Sequence, residues 1–155
     1  MRHFRTWARI AVLVLLTALL ATAGCRKIKT MTGIGETIES PTPGTPEATV
    51  QKVLEAGLES QELAGWEKFQ PLLHSSQQTP QSLKNWRQFN FVNLRKKVGF
   101  YVKDQAKMSF TIMDEAEGED QTVTLFLENT ASDMPTPCTL QKDKDGSWRI
   151  TKCSL

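Results

Sequence analysis

The chain is poor in the residues that most enzymes use for catalysis or for binding metal ions. Its 155 residues include two histidines, one tyrosine and three cysteines. His3 falls within the first 24 residues, so the rest of the chain offers only His74 and scattered acids, which do not make a zinc or calcium site. No Gly-rich phosphate loop follows a predicted strand. The sequence therefore predicts no metal ion and no cofactor, and spacing alone identifies no catalytic residue.

A strong charge of either sign is also missing. The formal net charge is +2, but Arg2, Arg5 and Arg9 all precede Cys25 and no acid does. Without these three arginines, 16 of the 19 basic residues stand against 17 acids, a formal charge of −1. A near-neutral chain has no electrostatic footprint for nucleic acid, so no nucleic-acid partner is predicted. The basic run at residues 95–97 is interpreted as a solvated helix end, favourable to the helix dipole.

Residues 1–24 have the organisation of an export signal. The three arginines form its positive start, Ile10–Ala23 forms its apolar run, and Ala21–Gly24 supplies small residues for a signal peptidase. The alternative is a retained membrane span, which needs roughly 20 apolar residues. The run is shorter than that, and we therefore expect residues 1–24 to be a signal peptide.

The end of this signal, Ala23-Gly24-Cys25, resembles the lipobox of bacterial lipoproteins, although Thr22 stands where that family usually carries Leu, Val or Ile. The resemblance implies that Cys25 receives a diacylglycerol, becomes the first residue of the mature chain and holds it on a membrane. Ordinary secretory cleavage, with Cys25 as a spare thiol, is the alternative. Arg26 replaces the aspartate that retains some lipoproteins in the inner membrane, so we expect an outer-membrane anchor facing the periplasm.

Residues 25–46 are interpreted as the lipid-bearing cysteine and a flexible linker. Gly, Thr, Ser and Pro dominate the stretch from Thr30 to Pro46, and no helical or strand period is present. Some twenty flexible residues span on the order of 25 Å. A folded domain is predicted over residues 47–155.

Three helices are predicted in the first half of this domain. Thr45-Pro46-Glu47 indicates a helix start, and the first helix continues to about Gln61. A shorter second helix is kinked by Pro71. The third helix is predicted from Thr79 to about Val98. The apolar residues of the second helix are Trp66, Phe69 and Leu73, and those of the third are Leu83, Trp86, Phe89 or Asn90, and Leu94.

Beyond Phe100 the apolar residues alternate with polar ones, which is typical of strands. The alternating residues are Met108, Phe110 and Ile112, then Val123, Leu125 and Leu127, then Cys138 and Leu140, and finally Trp148 and Ile150. The stretch "EAEGED" predicts a turn, "NTASDMPTP" a longer connection and "KDKDG" a hairpin. The order of elements predicts an α+β fold, with N-terminal helices packed on a curved antiparallel sheet of about four strands.

The segments "AGWEKFQPLLHSS" and "DGSWRI", with the helix before them and the sheet between them, resemble the nuclear-transport-factor-2-like fold. Ketosteroid isomerase and polyketide-cyclase-like proteins share that fold. The resemblance covers about Pro46 to Leu155 and implies a cone with a pocket between sheet and helices, but no single activity. Candidate residues that line the pocket are Trp66, Trp86, Tyr101, Phe110 and Trp148, for which core packing is the alternative.

Cys138 and Cys153 become an even pair once Cys25 is assigned to lipid, and an oxidising envelope permits a disulfide between them. A two-residue turn at Asp145-Gly146 pairs Cys138 with Cys153 but separates Leu140 from the face of Trp148 and Ile150. A three-residue loop at residues 144–146 aligns those apolar residues and pairs position 138 with position 152. The two registers are compatible only if the hairpin contains a further bulge, which would lie near Pro137.

These observations predict a lipid-anchored cell-envelope protein whose domain has a non-enzymatic binding or interaction role. Its partner would be another envelope protein or a small apolar ligand. The alternative is a pocket enzyme of the same fold, an isomerase, dehydratase or hydrolase. His74, after the second helix, is expected to cap the end of that helix or to lie on the surface.

Overall fold

The computed structural model describes residues 35–155, so the predicted signal peptide, Cys25 and residues 26–34 lie outside the described residues. This part of the chain is α+β, as the sequence predicted. Helices come first and an antiparallel sheet follows, and the sheet does not close on itself. No helix from residue 35 onward is long and apolar enough to cross a membrane.

The helical half contains four α-helices and several tighter or wider turns. The predicted starts at Thr45 and Thr79 are confirmed, because each hydroxyl accepts a hydrogen bond from the backbone N–H three residues on, at 3.3 and 3.2 Å. The α-helices are α1 (Pro46–Leu58), α2 (Glu62–Phe69), α3 (Pro80–Asn85) and α4 (Val92–Lys97); 3-10 turns cover Gln70–Leu72, Ser75–Gln77 and Val98–Phe100.

The third predicted helix is interrupted by a π-helical stretch, Trp86–Phe91, which joins α3 to α4. A π-turn is wider than an α-turn and inserts about one extra residue into the helix. Phe91 therefore reaches the core and is completely buried, whereas Phe89 is 62% exposed. The prediction that Phe89 or Asn90 faces the core was wrong, because it assumed an uninterrupted α-helical period.

The sheet has six strands within residues 35–155, not the four predicted. The strands are β1 (Glu36–Ile38), β2 (Val102–Asp104), β3 (Ser109–Glu117), β4 (Thr122–Asn129), β5 (Ser132–Lys142) and β6 (Trp148–Cys153). The additional strands, β1 and β2, have three residues each, too few for alternation to indicate them. Antiparallel pairing runs in the order β1-β3-β4-β5-β6, and β2 pairs with the start of β3.

Two segments predicted to lack secondary structure are strands. Glu36–Ile38, within the predicted linker, pairs with Phe110–Ile112 of β3. The stretch "NTASDMPTP" largely belongs to β5, which begins at Ser132 despite two prolines. Proline is tolerated there because β6 pairs with β5 only from Cys138 onward, so this part of β5 has a partner on one side alone.

The β5–β6 hairpin satisfies both registers that the sequence left open. A three-residue loop, residues 144–146, places Leu140 opposite Ile150, and one register shift between Thr139 and Leu140 then places Cys138 opposite Cys153. The bulge therefore lies two residues beyond Pro137, and Thr151 on β6 is the additional residue. The two cysteines form a disulfide with a Cα–Cα distance of 4.1 Å. The predicted pairing is confirmed.

The core lies between the helices and one face of the sheet. On β4, buried Val123, Leu125 and Leu127 alternate with more exposed residues, and they belong to the same apolar cluster as the buried face of α1 and both cysteines. Gly65 permits the close approach of α2 to α1, since a Cβ at this position would lie 2.6 Å from the Ala56 carbonyl oxygen. The sheet and the helices thus share one continuous core.

The π-turn and an uninterrupted α-helix predict opposite effects on stability for substitutions of Phe89 and Phe91. Phe91→Ala removes a completely buried ring and is expected to lower the free energy of unfolding by about 3–5 kcal/mol. Phe89→Ala, the matched control two residues away, removes an exposed ring and is expected to change it by less than about 0.5 kcal/mol. Urea unfolding followed by circular dichroism measures both. A larger loss for Phe89→Ala would contradict the π-helical assignment.

Candidate functional site

The five aromatic residues predicted to line a pocket do not share one site. Trp66, Trp86, Tyr101 and Phe110 are buried in the core, and Trp148 is half-buried against it. The interpretation that applies to the first four is therefore core packing, the alternative that the sequence left open. The five residues lie in different regions of the domain.

An aromatic cluster occupies the space between α2 and the segment that starts at α3. Phe91 packs edge-on against Trp66, with ring centroids 5.6 Å apart, and lies 5.1 Å from Phe69. Phe69 in turn lies 5.8 Å from Trp86, whose indole N–H donates to Gln77 Oε1 at 3.1 Å. These rings fill the space between the two helical segments.

Tyr101 and Trp148 make their contacts elsewhere. The Tyr101 hydroxyl lies 3.2 Å from Thr136 Oγ1 and accepts from Asn129 Nδ2 at 3.4 Å. The Lys142 ammonium lies over the Trp148 ring, 5.3 Å from its centroid. Both residues belong to the sheet end of the domain, apart from the aromatic cluster.

An open groove runs along the outer side of the aromatic cluster, between α2 and the α3–α4 segment, with a volume of about 620 Å³. Its apolar surface includes Trp66, Leu83 and Val92, and its rim carries charged and amide side chains. The rim residues are Glu62, Gln70, Lys84, Arg87 and Gln88. The groove can accept an apolar side chain beside an anionic or amide group. Sequence reasoning missed it, since its two walls come from separate helical segments whose packing the sequence does not specify.

A polar cluster joins the connection after α2 to the β5–β6 turn. His74 Nε2 lies 3.9 Å from Asp143 Oδ1, and the two side chains are only 14% and 10% exposed. Asp143 Oδ2 accepts from the Ser75 backbone N–H at 2.9 Å and lies 3.5 Å from Arg149 Nε. Arg149 also donates to the Pro71 carbonyl and pairs with Asp145 at 2.7 Å. The cluster links the connection after α2 to the β5–β6 turn, which is 68 or more residues away in sequence.

His74 caps the start of the Ser75–Gln77 turn, not the end of the second helix as predicted. Its Nδ1 accepts from the Ser76 backbone N–H at 3.2 Å and lies 2.9 Å from Ser76 Oγ. Because Nδ1 is an acceptor there, the hydrogen-bond network assigns the ring proton to Nε2, on the Asp143 side. The contact with the hydroxyl is thus part of a local capping motif and does not create an activated serine.

The same cluster lowers the pKa of Asp143 to about 2. Hydrogen bonding from the Lys144 backbone N–H is the largest cause, followed by hydrogen bonds from Ser75 and an electrostatic contribution of the nearby His74, while partial burial acts in the opposite direction. No three His, Cys, Asp or Glu residues gather into a possible metal site in the described part of the chain.

Asp143→Asn is expected to lower the stability of the domain at neutral pH and to reduce the loss of stability that occurs as the pH falls. A depressed pKa means that the carboxylate stabilises the fold fully above its unfolded pKa of about 3.9 and loses this contribution as the pH falls through about 2. Thermal unfolding measured from pH 7 to pH 2 checks the prediction. Asp133→Asn, on exposed β5, controls for the loss of one negative charge; equal profiles for both variants would contradict it.

Comparison with known proteins adds no further assignment of the site. No family model, no curated protein and no solved structure matches the chain. The lipoprotein and nuclear-transport-factor-2-like resemblances stay predictions from the residues. The function is therefore proposed from the sequence of residues 1–25 and from the geometry of residues 35–155.

Proposed function

We propose that the chain is a lipid-anchored protein of the bacterial cell envelope whose folded domain binds a partner and does not catalyse a reaction. The signal-like residues 1–24 and the lipobox-like Ala23-Gly24-Cys25 support the anchor. The mature chain would then face the periplasm, with the outer membrane favoured because Arg26 follows the cysteine. The α+β order and the closing hairpin support a cone of the nuclear-transport-factor-2-like kind.

One observation carries the binding role. Four of the five aromatic residues that would line an internal pocket are buried, and Trp66 and Trp86 both pack on Phe69, whereas the groove between α2 and the α3–α4 segment opens outward. With these side chains used in packing, the domain offers its outer surface to a partner. Trp66, Leu83 and Val92 provide apolar contact, and Arg87 at the rim adds a cation that can pair with an anionic group. A small apolar ligand or an apolar side chain of another envelope protein fits this surface.

The anchor is tested by the intact mass of the protein purified from bacterial membranes. We expect a mature chain that begins at Cys25 and carries a lipid, because the cysteine thiolate is the group that lipid transfer modifies. Cys25→Ser should give either an unmodified precursor or a chain released from the membrane. The double variant Cys138→Ser/Cys153→Ser, which loses only the disulfide, should still carry the lipid. An unmodified Cys25 in the mature wild-type chain would rule out the anchor.

The binding role is tested by photocrosslinking in intact envelopes. A photoreactive amino acid in place of Glu62, at the exposed rim of the groove, should give a discrete adduct whose mass identifies a protein or a small ligand. Arg87→Glu should weaken this adduct because it reverses the charge of the rim. The same photoreactive residue at Asp133, on exposed β5, is the control. The proposal fails if both positions give the same adducts or if position 62 gives none.

A further inference from the structure

The charges of the described domain are strongly segregated. Of the 19 Lys and Arg residues, six precede residue 35 and five lie between residues 80 and 97, which leaves eight for the rest of the domain. All 17 acids lie in that remainder, and none falls between residues 80 and 97. One helical segment is thus cationic on an otherwise acidic domain.

Four of these five cations are available to a partner. Arg95 is used within the domain, where its guanidinium donates to the carbonyls of Glu59 and Ser60. Lys84, Arg87, Lys96 and Lys97 are exposed, and none of them forms an ion pair with another described residue. Their charges are therefore not neutralised by residues 35–155.

The same segment exposes an aromatic ring between its cations. Phe89 is 62% exposed. Asn93 and Lys96 are exposed at helical intervals after it, and Lys84 is exposed five residues before it. This outward face (Lys84, Phe89, Asn93, Lys96 and Lys97) meets the groove at Lys84. Cations around an apolar ring are typical of a surface that lies on anionic lipid headgroups, with the ring at the level of the headgroups.

The length of chain before the domain indicates which anionic surface lies within reach. Because β1 is paired with β3 from Glu36 onward, only ten residues separate Cys25 from the folded domain. A segment of ten residues spans about 18 Å on average if it is flexible and at most about 33–36 Å if it is fully extended. A domain held so close to a bilayer meets it at a high effective concentration.

We propose that the outward face of residues 84–97 docks on the anionic headgroups of the bilayer that holds the lipid of Cys25. This inference rests on the proposed lipid anchor. Lys84, Lys96 and Lys97 attract the headgroups, and Phe89 enters the headgroup layer. The acidic remainder of the domain is repelled, which fixes the orientation and leaves the α2 side of the groove directed away from the lipid.

The test uses the processed lipoprotein reconstituted through its own lipid into vesicles. An environment-sensitive fluorophore is attached to Asn93→Cys, and quencher groups are carried by the lipid headgroup region. We expect quenching in vesicles of phosphatidylglycerol and phosphatidylcholine, and little in phosphatidylcholine alone. High salt should abolish it, because the Debye length falls to about 3 Å at 1 M. Each cation replaced by Gln, at Lys84, Lys96 or Lys97, should reduce the docked-to-free ratio by about fivefold.

Two controls separate docking from anchoring and from misfolding. Co-flotation with the vesicles reports the anchor, so a chain that does not float contradicts the proposed function, while one that floats without quenching overturns the docking alone. The fluorophore at Glu119→Cys, on the exposed β3–β4 turn, should stay unquenched. Phe89→Ser, which changes an exposed side chain, should weaken quenching without altering the circular dichroism spectrum.

Two results would assign the outward face differently. Equal quenching at positions 93 and 119 would mean that the domain has no fixed orientation, which overturns the proposal. Quenching that depends on the density of protein on the vesicle and not on lipid charge would mean that the outward face binds the acidic surface of a second copy of the chain. This result would also overturn the proposal.

Discussion

The position of Phe91 is the constraint on which the helical half of the domain depends. Its ring packs between Trp66 and Phe69 and is completely buried. An uninterrupted helix from Thr79 cannot bring Trp86, Phe91 and Leu94 to one side, because the first two are five residues apart. The segment therefore adopts a π-turn, and the burial of one large ring offsets the less favourable backbone geometry. This turn buries Phe91 and leaves Phe89 exposed.

The sheet is secured by contacts that join its last hairpin to the helices. Leu73 forms a parallel bridge with Ile150, and the His74 backbone N–H donates to the Ile150 carbonyl at 2.9 Å. These contacts cover part of the free edge of β6. Asp143 and Arg149 add charged hydrogen bonds to the same junction. With the disulfide, which closes a loop of 15 residues, the C-terminal hairpin is held to both layers of the domain.

The short strand β1 links the fold to the proposed location. Relative to a linker that reaches Pro46, it leaves about half as many residues between Cys25 and the folded domain, because Glu36–Ile38 is paired with β3. A shorter tether keeps the domain nearer to the membrane. The segregated charges then matter more, since electrostatic attraction to headgroups acts within about a Debye length. The anchor, the tether and the cationic face thus form one consistent hypothesis.

Features determined by neighbouring residues were predictable from the sequence. Thr45 and Thr79 with their following prolines indicated helix starts, alternation indicated β3 to β6, and the spacing of Cys138 and Cys153 around a turn indicated their disulfide. Features that depend on distant partners were not: β1 and β2 need β3, the bulge at Thr151 reconciles two registers, and the π-turn arises because Phe91 fits a space built by α2. The sequence by itself determined the order of elements from the first helix to the last strand, and the proposed export signal rests on the sequence alone. Tertiary packing alone decided which aromatic rings are buried, where the groove lies and which face carries free cations, because each of these is set by contacts across the core.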